Sequence, residues 1–270
     1  MDIGQMQKII TSVGVDTSVY VEDFATGEIF DYKSQEVMAS ASLRKVSILM
    51  SMLHLISKGI YDLTQPFEIE KEYQDNDSGV FQFLKPGFRI ILQDALMMMI
   101  VISDNTCTGK IWDMIGAEML NGYCMHIGLL QTVHAASRSS EENKTSAFEV
   151  SYLLKKILLG CTNENEARNL GVTKELCQIA LSILKNQQLT NGLRDLLPRS
   201  ANVASKTGMI DGYFHEAGIV FSKTFTPLGV LCVMTKNVPQ TINGVPDHTA
   251  IRKLISRLTF EGLEKYVDQL

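Results

Sequence analysis

The sequence predicts a mixed α/β protein of the α+β kind, with an antiparallel sheet drawn from both chain ends, flanked by terminal helices, beside an all-helical lobe. Three observations carry this: strand-like segments lie only near the two ends, helical periodicity fills the middle, and an amphipathic helix sits at each terminus. In chain order, Ile3–Val13 spaces its apolar side chains as a helix does. Ser18–Asp23 and Glu28–Tyr32 flank Ala25-Thr26-Gly27 and read as a hairpin. Leu43–Lys58, Leu92–Ile102, Ser146–Leu159 and Leu176–Lys185 read as helices, the first stopped by Gly59 and the second following Pro86-Gly87. Beyond Pro198, Ala201–Ile210, His215–Ser222 and Gly229–Lys236 read as strands, joined by Asp211-Gly212 and Phe225-Thr226-Pro227. Thr249–Val267 closes the chain as an amphipathic helix. The expected division is a discontinuous sheet domain of residues 1–38 and 195–270, with a helical domain of 39–194 and a cleft between them.

Composition narrows the function classes. The chain has 270 residues, 45% hydrophobic and 20% charged, enough for a substantial core. A net charge of −5, with no run of Lys and Arg, gives a nucleic-acid partner no electrostatic support. The most apolar stretch, Ala95–Ile102, is far short of a bilayer span, so no membrane partner is expected. Met1-Asp2-Ile3-Gly4 lacks the basic start and apolar run of a signal peptide, so the expectation is cytoplasmic, or secreted with a leader already removed. Cys107, Cys124, Cys161, Cys177 and Cys232 have no metal-ligand spacing and read as buried free thiols. No metal and no organic cofactor is expected. Met97-Met98-Met99 and Trp112 read as packing of the helical lobe.

Three short motifs carry the chemistry. In Ser42-Leu43-Arg44-Lys45, residues three apart on a helix share a face, so hydroxyl and amine can meet. A serine hydroxyl needs a base, and a lysine whose pKa is lowered by burial or a nearby cation can be that base. The bland alternative is helix surface. Ser103-Asp104-Asn105 can either cap a helix over Thr106–Ile115 or bring a hydroxyl and an amide to a cleft. Lys206-Thr207-Gly208 lies on a strand, with Lys206 and Gly208 on one face and Thr207 on the other unless the strand is twisted or bulged. Glycine there lets substrate approach the backbone, whereas the alternative is an edge-strand lysine that blocks aggregation. Each motif is weak alone, but all three occur in order.

This ordered set resembles serine β-lactamases and penicillin-binding proteins, most closely class A β-lactamases. Gln82-Phe83-Leu84-Lys85-Pro86-Gly87 and His215-Glu216-Ala217-Gly218-Ile219 extend the likeness over nearly the whole chain. The resemblance implies a five-stranded antiparallel sheet with flanking helices, and a β-lactam or peptide-like small-molecule substrate. It implies that Ser42 attacks, Lys45 accepts its proton and Ser103 relays a proton to the leaving nitrogen. Asn105, Lys206, Thr207 and Gly208 would bind substrate, and the N–H groups of Ser42 and Met209 would form the oxyanion hole. A monomer is expected.

One element departs from the pattern. Class A enzymes take their deacylating glutamate from a loop that corresponds here to Gly128–Thr145, which is short and has no acidic residue from Leu129 to Ser140. Glu141, Glu142 and His134 are the candidate bases. Three readings stay open: a hydrolase using another base or an ester or peptide substrate, an efficient β-lactamase, or a penicillin-recognising module that stays acylated. The expectation is slow deacylation.

Overall fold

A computed structural model describes residues 1–74, 78–136 and 142–270. The chain opens with α1 (Ile3–Val13), which Asp2 caps by accepting the Gln5 N–H at 2.9 Å and left-handed Gly14 ends. β1 (Asp16–Asp23) and β2 (Ile29–Tyr32) form the expected hairpin, and β3 (Met38–Ala39) is a short strand before the first motif. The helical stretch holds α2 (Lys45–Ser57), the β4 (Pro66–Ile69) and β5 (Phe88–Ile91) pair, α3 (Leu92–Val101), α4 (Asn105–Ile115), α5 (Ala117–His126), β6 (Lys144–Thr145), α6 (Ala147–Gly160), α7 (Glu164–Asn169) and α8 (Lys174–Lys185). The chain then returns through β7 (Asn202–Ile210), β8 (Tyr213–Phe221) and β9 (Pro227–Lys236), a small β10 (Thr241–Ile242) and β11 (Val245–Pro246) hairpin, and α9 (Asp247–Leu263).

The main sheet has five antiparallel strands in the order β2-β1-β9-β8-β7. β1 joins the two chain ends by pairing with β9, from Asp16 opposite Lys236 to Asp23 opposite Gly229. Successive strand residues point to opposite faces, and both faces are covered. Val19, Val21, Val220, Leu231 and Val233 pack with Met6, Ile9, Ile251 and Ile255 of α1 and α9. Tyr20, Ala217, Ile219, Cys232 and Met234 join the helical core with Leu154 and Ile157 of α6. That double coverage is why β8 and β9 are apolar almost throughout instead of alternating with polar residues.

The helical core centres on α2, whose Ile48, Leu49, Met50, Met52 and Leu53 are completely buried. Met99 and Trp112 join it, and all five cysteines are buried free thiols. The β4–β5 pair, α5 and α7 carry no strong periodic signal and are legible only in three dimensions.

Candidate active site

The first motif does not start as a regular helix. Ala41–Arg44 is a turn of 3-10 helix that runs directly into α2 at Lys45. In that geometry residues three apart eclipse, so half-buried Ser42 and buried Lys45 lie on one face. The turn is strained: Ala41 has a φ of 45°, a left-handed value that costs a non-glycine residue about 1 kcal/mol or more.

The second motif serves as both cap and site. Buried Asp104 caps α4 by accepting the Cys107 N–H at 2.9 Å. Its other oxygen accepts the N–H groups of Val80 and Phe81 at 2.8 and 3.0 Å, tethering the preceding loop. Gly79 is required there, because a Cβ would lie 2.1 Å from the Asp104 carboxylate. Ser103 also has a left-handed φ, 56°, which leaves its carbonyl and hydroxyl facing Lys45.

Lys45 Nζ donates to the Ser103 carbonyl at 2.6 Å, the Ser103 hydroxyl at 2.9 Å and Asn105 Oδ1 at 2.7 Å. From the third motif, Lys206 Nζ reaches the same Ser103 hydroxyl at 3.1 Å and the Thr207 carbonyl at 2.8 Å. One hydroxyl therefore bridges two buried amines. Burial, then the charge of Lys206 and then that of Arg44, hold Lys45 well below the usual lysine range. Burial likewise pushes Lys206 down to about 7, against the opposing pull of Glu216.

The β7–β8 register puts Gly208 opposite His215 and Thr207 opposite Glu216, so Lys206 and Gly208 share a face as alternation predicts. That face meets the serine turn: a Cβ on Gly208 would lie 3.3 Å from Ala41 and Leu43. His215 Nε2 lies 2.9 Å from the Ala39 carbonyl, fastening the turn's approach strand to the sheet. The structure thus brings Ser42, Lys45, Ser103, Asn105, Lys206 and Gly208 to one junction, with exposed Met209 at its rim.

The candidate bases fare differently. Glu141 lies outside the described residues. Glu142 is exposed. His134 is buried with Nε2 2.9 Å from Ser47 Oγ, and burial together with Arg44 pushes it down to about 3. Ser47 follows Ser42 by five positions, which on helical geometry turns it well away from the serine face. Three polar residues here had no role legible in the sequence. Buried Asn143 accepts the Ser40 N–H at 2.7 Å through its carbonyl, beside the serine turn. Buried Glu216 and half-buried Asn191 support the sheet edge from behind. Only the cap of α6 carried a local signal: Ser146 accepts the Glu149 N–H, a pattern visible as Ser-x-x-Glu.

Residues 4–266 match the model of a beta-lactamase enzyme family. The chain belongs to that family. Over 96% of its length it is 22% identical to Beta-lactamase CARB-4 of Pseudomonas aeruginosa, covering 89% of that protein. Its fold matches a beta-lactamase from Sphaerobacter thermophilus with a TM-score of 0.84, at 20% identity over 98% of this chain and 99% of that one. PBP-A matches with a TM-score of 0.81, at 24% identity over 97% and 96% of the two chains. A point mutant of PBP-A was solved as its acyl-enzyme complex with penicillin G. At family level the protein is a hydrolase of the serine beta-lactamase type, and its sheet and helices are those the class A resemblance implied.

Proposed function

We propose that the protein opens β-lactam rings through an acyl-enzyme on Ser42, in the manner of class A β-lactamases, and that it deacylates slowly. The observation that carries this is the Ser103 hydroxyl held between Lys45 and Lys206, with Ser42 one turn from Lys45. Neutral Lys45, which keeps two of its three donations, takes the Ser42 proton on its lone pair as the hydroxyl attacks the lactam carbonyl. The N–H groups of Ser42 and Met209 receive the oxyanion. Ser103, in contact with both amines, passes a proton to the departing ring nitrogen, while Lys206 holds the substrate carboxylate from the serine-turn face of β7 and Thr207 reaches it around that strand's free edge. The Asn105 amide nitrogen is left for the substrate side chain, since its oxygen is taken by Lys45. The cleft lies between residues 39–194 and the sheet region, and the substrate is a small molecule.

Slow deacylation is supported by the fate of the acids and bases around 128–146. Glu149 is spent on Gln131 N–H at 2.7 Å and Thr132 Oγ1 at 2.6 Å, and His134 is held neutral on Ser47. A hydrolytic water at Ser42 therefore has neither of them as its base. A penicillin should add its full mass to the protein, and Ser42→Ala should abolish the adduct, as read by intact-protein mass spectrometry. An adduct that persists in Ser42→Ala overturns the nucleophile assignment.

A further inference from the structure

One of the two donors proposed for the oxyanion, the Met209 N–H, belongs to the Gly208–Met209 peptide, and something must hold that peptide in place. Among the described residues β7 is the edge of the sheet, with β8 as its neighbour. Asp211-Gly212 is a two-residue connection, so Ile210–Tyr213 is a hydrogen-bonded pair and the pairs alternate from there. Gly208–His215 is then hydrogen-bonded as well, and Met209 turns its N–H off the free edge. Its opposite number Phe214 agrees, since its N–H and C=O both engage Thr235 of β9. The Gly208–Met209 bond is trans, so the Gly208 carbonyl points the other way, into the sheet.

That carbonyl has a second partner. Asn191 Nδ2 lies 3.3 Å from the Gly208 oxygen and 2.9 Å from the His215 oxygen, bridging the two strands. Asn191 is itself anchored from below by Glu216, whose side chain lies on the sheet face opposite the serine turn. Glu216 Oε2 accepts the N–H of Asn191 at 2.7 Å, the N–H of Leu193 at 3.0 Å and the Thr190 hydroxyl at 3.3 Å. Gly192 seals the path of this loop, because a Cβ there would lie 2.2 Å from the Arg252 carbonyl.

We propose that Asn191, held by buried Glu216, is a positioning residue of the reaction: its amide fixes and polarises the Gly208–Met209 peptide whose N–H receives the oxyanion. The inference rests on the reading of Ser42 as nucleophile. A carbonyl that accepts two hydrogen bonds draws electron density from its peptide nitrogen and makes the N–H a stronger donor. Its orientation is also fixed before charge develops, so no reorganisation is needed at the moment of reaction. The serine turn packs on one face of the Gly208 peptide and the Asn191 amide supports it from the other.

The test compares wild type with Asn191→Leu and Asn191→Ser, using a carboxylate-bearing aryl ester and its thionoester partner. Sulfur is a poor hydrogen-bond acceptor, so the ester-to-thionoester acylation ratio reports the oxyanion hole itself. Because both rates come from one preparation, any unfolded fraction cancels. Acylation of the ester should fall about tenfold to a hundredfold, less than or near the loss of a whole oxyanion donor. The ester-to-thionoester ratio should fall with it, by about fivefold or more. Substrate binding before acylation should change much less. Equal losses for both substrates, or no loss for either, overturn the role of Asn191 while leaving Ser42 intact. Failure of the wild type to acylate with the ester and with a penicillin overturns the functional reading, and this inference with it.

Discussion

The motif junction and the segment from 128 to 146 border the same serine but are built on opposite plans. At the junction, polar groups are buried and left reactive: Lys45 and Lys206 are essentially inaccessible, hold lowered pKa values and share one hydroxyl. In the described part of 128–146, several polar groups are spent on holding the segment together. Val133 and Lys144 exchange backbone bonds at 2.9 and 3.0 Å, Glu149 ties down Gln131 and Thr132, and the Asn143 side chain accepts the Ala135 N–H at 3.1 Å. Groups engaged in this way hold the segment together and are not free to activate a water at the serine. On the proposed reading, the comparison separates equipment for acylation, at the junction, from equipment for deacylation.

The largest expected effects break that comparison directly. If the loop side supplies no base, the Ser42 adduct should persist, its lifetime extended about a hundred- to ten-thousandfold over that of an enzyme with an effective base. Time-resolved mass spectra and stopped-flow kinetics read this as a burst followed by slow turnover. Rapid steady turnover with no adduct would reverse the conclusion, and Glu141→Gln and Glu142→Gln would then locate the base.

On the junction side, Lys45→Ala should slow acylation by about a hundredfold or more, the scale for losing a general base. A variant that acylates within a fewfold of wild type would show that the proton leaves Ser42 by another route.

A smaller effect sharpens the role of Lys206. With its pKa pushed to about 7, its ammonium is protonated below that pH and neutral above it. The kcat/KM for a carboxylate-bearing penicillin should therefore decline as pH rises through the region of 7, by about tenfold per unit at most. A neutral ester should not show this decline, and identical profiles for the two would remove the carboxylate role.

His134→Ala should leave adduct lifetime within about threefold, because its imidazole faces Ser47, while lowering stability by about 1–3 kcal/mol through the lost buried hydrogen bond. Denaturant melts and adduct decay measured on the same samples separate the two roles.

A further effect, on stability alone, concerns the support behind the sheet edge. Burial pushes the Glu216 carboxyl up to about 7, above the ordinary glutamate value. A raised carboxyl pKa contributes stability that is present below the unfolded value and is lost as pH rises toward the folded one. Relative to wild type, Glu216→Gln should be at its worst near pH 4 and should recover by about 2–3 kcal/mol as pH rises to 7. A pH-independent difference would mean that the carboxyl does not titrate in this range.

Much of this molecule was legible in the sequence, for reasons that differ by element. Residues Ile3–Val13 form the helix their spacing predicts, because a helix between a capping Asp2 and a left-handed Gly14 is a local matter. The five main strands were found within a few residues, although His215–Ser222 begins earlier, at Tyr213, since the two-residue turn sets where pairing starts. The helix expected from Leu43 begins as a 3-10 turn, because the sheet edge packs on Ala41 and Leu43 and tightens it. Hairpin β4–β5 was missed, since each strand has only four residues and their pairing spans a long loop.

What the sequence determined alone was the three motifs and their order, and the placement of strands at both ends with helices between. These follow from local chemistry and from periodicity, which need no knowledge of distant residues. What only the tertiary structure decided was which polar group each buried side chain meets. Ser103 touches Lys45 and Lys206 across 58 and 103 residues, and Asn191 reaches Gly208 and His215 across 17 and 24. No local pattern encodes such contacts, because they exist only after the core has closed, when each desolvated donor and acceptor must find a partner from whichever part of the chain has been brought beside it.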